Sequence, residues 1–150
     1  AKAQRVLSRR TKGSGRWNKQ RIRVAKLHEK VANQRKNFLH HKSKELATYF
    51  DVVAIENLNM KGMSQALHFG KSGWGMFTSF LAYKLNEQGK QLVKIDKWFP
   101  STKTCSSCGN VKNMSLSERV YSCICGVNLD RDYNAAINIK NEAIRLLALA

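Results

Sequence analysis

Acidic residues are scarce in this chain. Its 150 residues carry 10 Asp and Glu against 27 Lys and Arg, a formal charge of +17 with a pI near 10.1. Such an excess makes a polyanion the default partner, because Lys and Arg that neutralise phosphate release condensed counterions. Long apolar runs are missing too, which removes a bilayer-spanning helix within these residues. No secretory segment is visible, so nothing places the cysteines in an oxidising compartment. No second His or Cys lies at ligand spacing from His68, which therefore reads as a loop or nucleic-acid contact. Neither Pro nor Gly occurs between Asn18 and Phe50, so nothing local interrupts a long helix there. The chain opens on Ala1 rather than Met, as expected of a processed or excised piece.

The charge is unevenly spread. Residues 1–50 hold 15 Lys and Arg against Glu29 and Glu45, while residues 51–150 hold 12 against 8 acids. The first 16 residues are polar and basic, and Gly13-Ser14-Gly15 breaks any helix among them. From about Asn18 to Phe50 a long helix, or a helix with one break, is expected to show a basic face. Its apolar stripe is Val24, Leu27, Val31, Phe38, Leu46 and Tyr49. Arg21, Arg23, Lys26, Lys30, Arg35, Lys36 and Lys42 are the candidates for phosphate contact, which would position a backbone without reading bases.

Asp51 to Leu58 reads as a short, continuously apolar strand of the kind buried in a parallel sheet, ending in Glu56 and Asn57. Functional groups of open α/β sheets gather at the carboxyl ends of strands, so Glu56 is a candidate; a salt bridge to one of the many arginines fits its position equally well. Residues 59–73 form a Gly-rich polar loop. Trp74, Phe77, Leu81 and Leu85 stand at helical spacing and predict a helix over 74–88 that stops at Gly89. Gln91 to Ile95 is a second strand, which makes a parallel unit with a right-handed crossover. Two strands leave sheet edges unpaired, and a sheet of this kind needs three or more. Further strands are expected from another polypeptide or an upstream segment.

Two cysteine pairs, Cys105/Cys108 and Cys123/Cys125, lie 14 residues apart, each followed by a glycine. Four thiolates from two tight turns suit tetrahedral zinc, and the glycines let the turns aim amides at sulfur. The second pair is C-x-C, a narrower turn than C-x-x-C. Two cross-paired disulfides or four free core thiols are the alternatives, and zinc is preferred for want of an oxidising compartment. Five residues on come Asp130 and Asp132 at a helix start, followed by a run in which Ala136, Ile137, Ala143, Ile144 and Leu147 share a face. One Asp suffices to cap a helix. The second is spare.

Taken together, the strings KAQRVLSRR, VAKLHEKVANQRKNFLHHKS, VVAIENLNMKGM, FGKSGWGMF, KTCSSCG and CGVNLDRDYNAAINI resemble the transposon-associated TnpB (OrfB) family, which is related to the type V CRISPR effector nucleases. The resemblance runs nearly end to end. It implies an α/β chain with a partial RNase H-like (RuvC) fold, a long basic helix and an inserted zinc ribbon, lacking the first strands of the sheet. It further implies DNA cleavage directed by a guide RNA, in the cytoplasm of a prokaryote and associated with the nucleoid. Of the family's three nuclease carboxylates, the second matches Glu56 and the third Asp132, with Asp130 as a possible accessory acid. The first, on an upstream strand, is absent, and Asp51 cannot replace it. Two Mg²⁺ ions would serve such a site, activating a water and stabilising the leaving oxygen of a phosphodiester. This chain alone is therefore expected to cut poorly or not at all without the N-terminal part of the nuclease. Arg131 can bind phosphate or restrain Asp130. Lys103 and Lys112 flank the first knuckle, so the zinc module can touch nucleic acid, although stapling the start of the Asp132 helix is its primary expected role. Four segments follow: a basic helical one (1–50), a strand-helix-strand unit (51–100), the zinc ribbon (101–128) and a C-terminal helix (129–150). A non-cleaving nucleic-acid-binding module made as a separate C-terminal product is the competing reading. A zinc-ribbon ribosomal or transcription protein also fits charge and cysteines, but leaves Glu56 and D-x-N-A-A unexplained.

Overall fold

The computed structural model describes residues 1–58, 73–115 and 117–149. His68 and most of the Gly-rich loop lie outside that set. Helix α1 spans Lys2–Ser8 and α2 spans Gly15–Tyr49. Helix α1 lies within the polar, basic lead, in keeping with a basic helical segment over 1–50. The break falls where Gly13-Ser14-Gly15 puts it, but Ser14 also starts the next helix, its side chain accepting from the amide of Trp17 at 3.1 Å. Gln20 then donates to the carbonyl of Ala3 at 2.8 Å, which ties α1 back onto α2.

Helix α2 runs unbroken for 35 residues. Its last turns pack on helix α3 (Trp74–Glu87), where Ala47, Leu81 and Leu85 form a fully buried cluster with Leu46, Val53, Phe77 and Leu92 against it. Gly73, at the head of α3, lies so close to Leu39 that a Cβ there would meet its Cδ1 at 2.9 Å. Two lysines complete the joint. Lys84 donates to the carbonyl of His40 (2.6 Å) and to Ser43 Oγ (2.7 Å), while Lys90 donates to the carbonyl of Ala47 (2.7 Å), supplying partners at the helix end. Between these anchored ends, residues 25–38 are exposed on every side.

Strands β1 (Val52–Glu56) and β2 (Gln91–Ile95) pair in parallel, Val52 with Gln91 through Glu56 with Ile95, as the crossover reading requires. Strand β1 is shorter than the apolar run, and Val52 is exposed. Among the described residues this sheet has two strands. The zinc-ribbon segment holds an antiparallel pair, β3 (Val120–Ser122) with β4 (Asn128–Asp130), and a bridge from Thr104 to Val111. Helix α4 (Arg131–Ala148) follows directly and packs on β1, β2 and this hairpin. No described helix is long and apolar enough to cross a membrane.

The buried face of α4 matches the apolar spacing only in part: Ala143 is buried and Ile137 and Leu147 are half-buried as that face requires, but other residues share the burial. Asn134, Ala135, Asn138 and Ala143 are buried, whereas Ala136 and Ile144 face outward. The helix is rotated because its inward asparagines have hydrogen-bond partners in the zinc-ribbon segment, which outweighs the burial of Ile144.

Candidate metal centre and carboxylate site

Each cysteine knuckle is closed by its own backbone. The amide of Gly109 donates to the carbonyl of Cys105 (3.0 Å) and that of Gly126 to the carbonyl of Cys123 (3.0 Å). Both glycines have positive φ, 73° and 91°, the left-handed turn a side chain would strain. The turns bring Cys105 Sγ to 3.7 Å from Cys125 Sγ, and Cys108 Sγ to 3.6 Å from Cys123 Sγ. All four sulfurs lie within 4.8 Å of one another.

These distances separate the readings the spacing left open. A disulfide needs sulfurs about 2.05 Å apart, and all four thiols are free. A tetrahedral ion with bonds of about 2.3 Å needs sulfur separations of about 3.8 Å. The quartet fits that edge length, so it can hold a metal such as zinc, and the C-x-C turn does not spoil the arrangement. Among the described residues this quartet is the group of three or more ligands close enough to share an ion. Its electrostatics is lopsided. The amide of Cys108, helped by that of Ser107 and by nearby thiols, holds the Cys105 thiol down to about 6 against its burial. Cys125 is pushed up to about 12: the Val127 amide pulls it down, but the sulfurs of Cys123, Cys108 and Cys105 together with burial outweigh it. Crowded sulfurs resist a shared negative charge, and a cation among them removes that resistance.

Tyr121, wholly buried beneath the knuckles, places its hydroxyl 3.0 Å from the carbonyl of Lys103 and 3.1 Å from that of Asn110. Burial first, then the charge of the cysteines, raises its pKa. Lys112 lies over the Tyr121 ring at 4.7 Å and donates to the carbonyl of Ser122, which makes it part of the module's structure. The sequence reading missed Tyr121, Asn134 and Asn138. Asn134 donates to the carbonyl of Thr104 (2.7 Å) and accepts from the amide of Ser106 (3.0 Å); Asn138 donates to the carbonyls of Ser101 (2.8 Å) and Thr104 (2.7 Å). Two asparagines one turn apart on the side of a helix that packs inward were the available signal.

The paired aspartates divide their roles. Asp130 caps α4, one carboxylate oxygen accepting from the amides of Asp132 (2.9 Å) and Tyr133 (3.0 Å). Asp132 is not needed for the cap. Its side chain is 73% exposed, with the Arg131 guanidinium 3.3 Å away. The Arg131 guanidinium thus pairs with Asp132. Glu56, the last residue of β1, is half-buried, and that burial raises its pKa. No salt bridge engages it among the described residues, so the ion-pair account finds no partner there. The strand of Glu56 and the helix of Asp132 are packed together.

The candidate phosphate contacts do not line one face. Arg21, Arg23, Lys26, Lys30, Arg35, Lys36 and Lys42 are all exposed. At 100° per residue Lys26 and Lys30 share a side while Arg35 and Lys36 point elsewhere, so charge surrounds the helix. Arg21 rests on the Trp17 ring, and Lys42 is paired with Glu45 at 2.8 Å.

Comparison with known proteins agrees with this arrangement. Residues 1–67 match a family model described as "Probable transposase" (OrfB_IS605), and residues 74–139 match the "Cas12f1-like, TNB domain". A Streptomyces pristinaespiralis protein named "Putative RNA-guided DNA endonuclease" is 40% identical over 144 residues, which are 93% of this chain and 36% of that protein. A TnpB-like protein of Acanthamoeba polyphaga mimivirus is 34% identical over 133 residues, 81% of this chain and 25% of its own length. A cryo-EM structure of a CRISPR-Cas12f ternary complex superposes with a TM-score of 0.67 at 26% identity, over 91% of this chain and 30% of that one. The chain therefore spans between a quarter and just over a third of the length of these relatives. Matched by one model toward each end, the chain is similar to the C-terminal part of transposon-associated TnpB (OrfB) proteins.

Proposed function

We propose that this chain is the C-terminal portion of an RNA-guided DNA endonuclease of RuvC type, supplying Glu56 and Asp132 as two of three metal-binding carboxylates. The observation that carries the reading is the division of labour at the head of α4. With Asp130 alone satisfying the helix amides, Asp132 presents a carboxylate to solvent at a helix start packed against the strand of Glu56. Both side chains offer the hard oxygen ligands that Mg²⁺ takes. Bound Mg²⁺ would supply a nucleophilic water and charge for the leaving oxygen. The raised pKa of Glu56 suits this, because a buried carboxylate in want of a counter-charge gains most from a cation.

The donor set is incomplete. Among the described residues no three carboxylates lie close enough to share an ion, and the parallel sheet has two strands. A first Asp on an upstream strand, alongside the other strands of the sheet, completes both. The zinc module fixes the head of α4 through Asn134 and Asn138, and so holds Asp132 in place. DNA and a guide RNA are the partners on this reading, with the charge of α2 following their backbones.

The test uses the full-length protein with its guide RNA. Glu56→Gln and Asp132→Asn should each lower Mg²⁺-dependent cleavage by orders of magnitude and spare target binding. Asp130→Asn, which keeps the cap, should do far less. The 150-residue chain alone should cut negligibly. Cleavage indifferent to both Glu56→Gln and Asp132→Asn would favour a non-cleaving nucleic-acid-binding module.

A further inference from the structure

Beyond the end of β2 the chain makes a tight turn through Asp96, Lys97, Trp98 and Phe99. Asp96 holds it from both its groups: the side chain accepts from the amide of Trp98 at 2.7 Å, and the carbonyl accepts from the amide of Phe99 at 3.1 Å. Phe99 is half-buried and Ser101 buried, so the far side of the turn is anchored. Trp98 is not. It is 79% exposed, although tryptophan is among the side chains most covered on average. Lys97 sets its ammonium over the ring, 4.9 Å from the centroid, which makes the exposed indole part of a defined cationic pair.

The position is specific. Ile95 is the register partner of Glu56, and Trp98 lies three residues past it. Three residues reach at most about 11 Å, and neighbouring strands lie about 4.8 Å apart. Trp98 therefore stands at the same carboxyl end of the sheet as Glu56, with backbones no more than about 16 Å apart. We propose that the open face of Trp98 is a stacking platform for one base of a single-stranded nucleic acid, with Lys97 beside it for the phosphate, and that it steers the strand toward Glu56. The inference rests on the nuclease reading for its direction.

The chemistry selects the occupant. An apolar protein partner would meet a ring capped by the Lys97 ammonium, whereas an apolar patch is what such a partner needs. An unpaired nucleotide offers both a π face and an anion. Base stacking on an aromatic side chain tolerates any sequence, as a guide-programmed enzyme requires of a strand that pairing does not read. The turn is already fixed by Asp96, so binding orders little besides the nucleotide itself.

The test uses the full-length protein and a short single-stranded DNA, with and without one abasic position, at fixed salt. Trp98→Leu should weaken the intact oligonucleotide about ten-fold, and Trp98→Phe should restore most of that. The salt slope should stay unchanged, because no phosphate contact is lost. With the abasic site moved along the strand, one position should make parent and Trp98→Leu bind alike. Zinc content equal to that of the parent checks that the variants are folded. Affinity unaltered by Trp98→Leu at every position, or a Trp98 shielded from acrylamide quenching in the full-length protein, overturns the proposal. Should Glu56→Gln leave cleavage intact, the nuclease reading fails while these affinities still judge the platform. Should Glu56→Gln abolish cleavage while Trp98→Leu binds as the parent, the platform alone fails.

Discussion

Asn134 reaches from the first full turn of α4 to the carbonyl of Thr104, 2.7 Å away, and joins the helix that carries Asp132 to the first cysteine knuckle. Its oxygen takes the Ser106 amide, so one buried side chain satisfies a donor and an acceptor of the loop around Cys105. Metal ligation and the placement of Asp132 are therefore mechanically linked.

Replacing Asn134 with Leu should break that link without emptying the space. The Ser106 amide loses its partner, at a cost of about 1–3 kcal/mol. Thermal melts of the zinc-saturated protein should show the loss. Asn138→Ala should cost less at Thr104, whose carbonyl keeps Asn134, and more at Ser101. Equal stability of the Asn134→Leu variant and the parent would refute the clamp.

One zinc per chain is expected by elemental analysis of freshly reduced protein. Binding must displace protons from the quartet, including the Cys125 thiol at about 12. Retention should therefore weaken as pH falls and strengthen as it rises. Cys105→Ser or Cys125→Ser should lose the metal and expose amides over β3, β4 and the head of α4 to hydrogen exchange. A zinc-free protein with those amides still protected contradicts the assignment.

Glu56 carries a pH signature of its own. Burial raises its folded pKa above the ordinary 4.5, so the folded state prefers the neutral acid. Above that raised value the charged form costs stability, and the cost disappears as pH falls through it. Glu56→Gln should accordingly equal or exceed the parent in urea midpoint at pH 7 without divalent ions, and lose any advantage near pH 4. A less stable Gln variant at pH 7 would show that the carboxylate has a structural partner.

Salt dependence should locate the polyanion. Substituting Lys26, Lys30, Arg35 and Lys36 together by Gln changes only exposed side chains. If all four meet phosphate, the slope of log K against log salt should flatten by about three units. An unchanged slope would move the contact to the zinc module and strand ends.

The elements themselves were readable because their causes are local. The Gly- and Pro-free run from Asn18, the aromatic and Leu spacing of Trp74 to Leu85, and the glycines behind each cysteine pair all act within a few residues. What escaped was tertiary. The rotation of α4 depends on asparagines whose partners are 28 to 37 residues away, so an apolar-face rule put Ile144 inward when it faces out. Lys84 and Lys90 counted as charge along the chain, yet each donates to backbone carbonyls of α2. The docking of helix α1 was likewise out of reach, because it depends on Gln20 of the next helix holding the Ala3 carbonyl.

The open stretch of α2 has a consequence for the timing of motion. From residue 25 to 38 the helix is exposed on every side, so its hydrogen bonds there are defended by helix propensity alone. Its two ends are pinned, by Gln20 to α1 and by Ser43 and Ala47 to α3. Such a span breathes in the middle: amides of residues 28–38 should exchange deuterium much sooner than those of 43–49, although all belong to one helix. A polyanion lying along the lysines and arginines would quieten that middle first. The span is then the part of the molecule where an arriving nucleic acid is felt as a change in rhythm, before any rearrangement of shape.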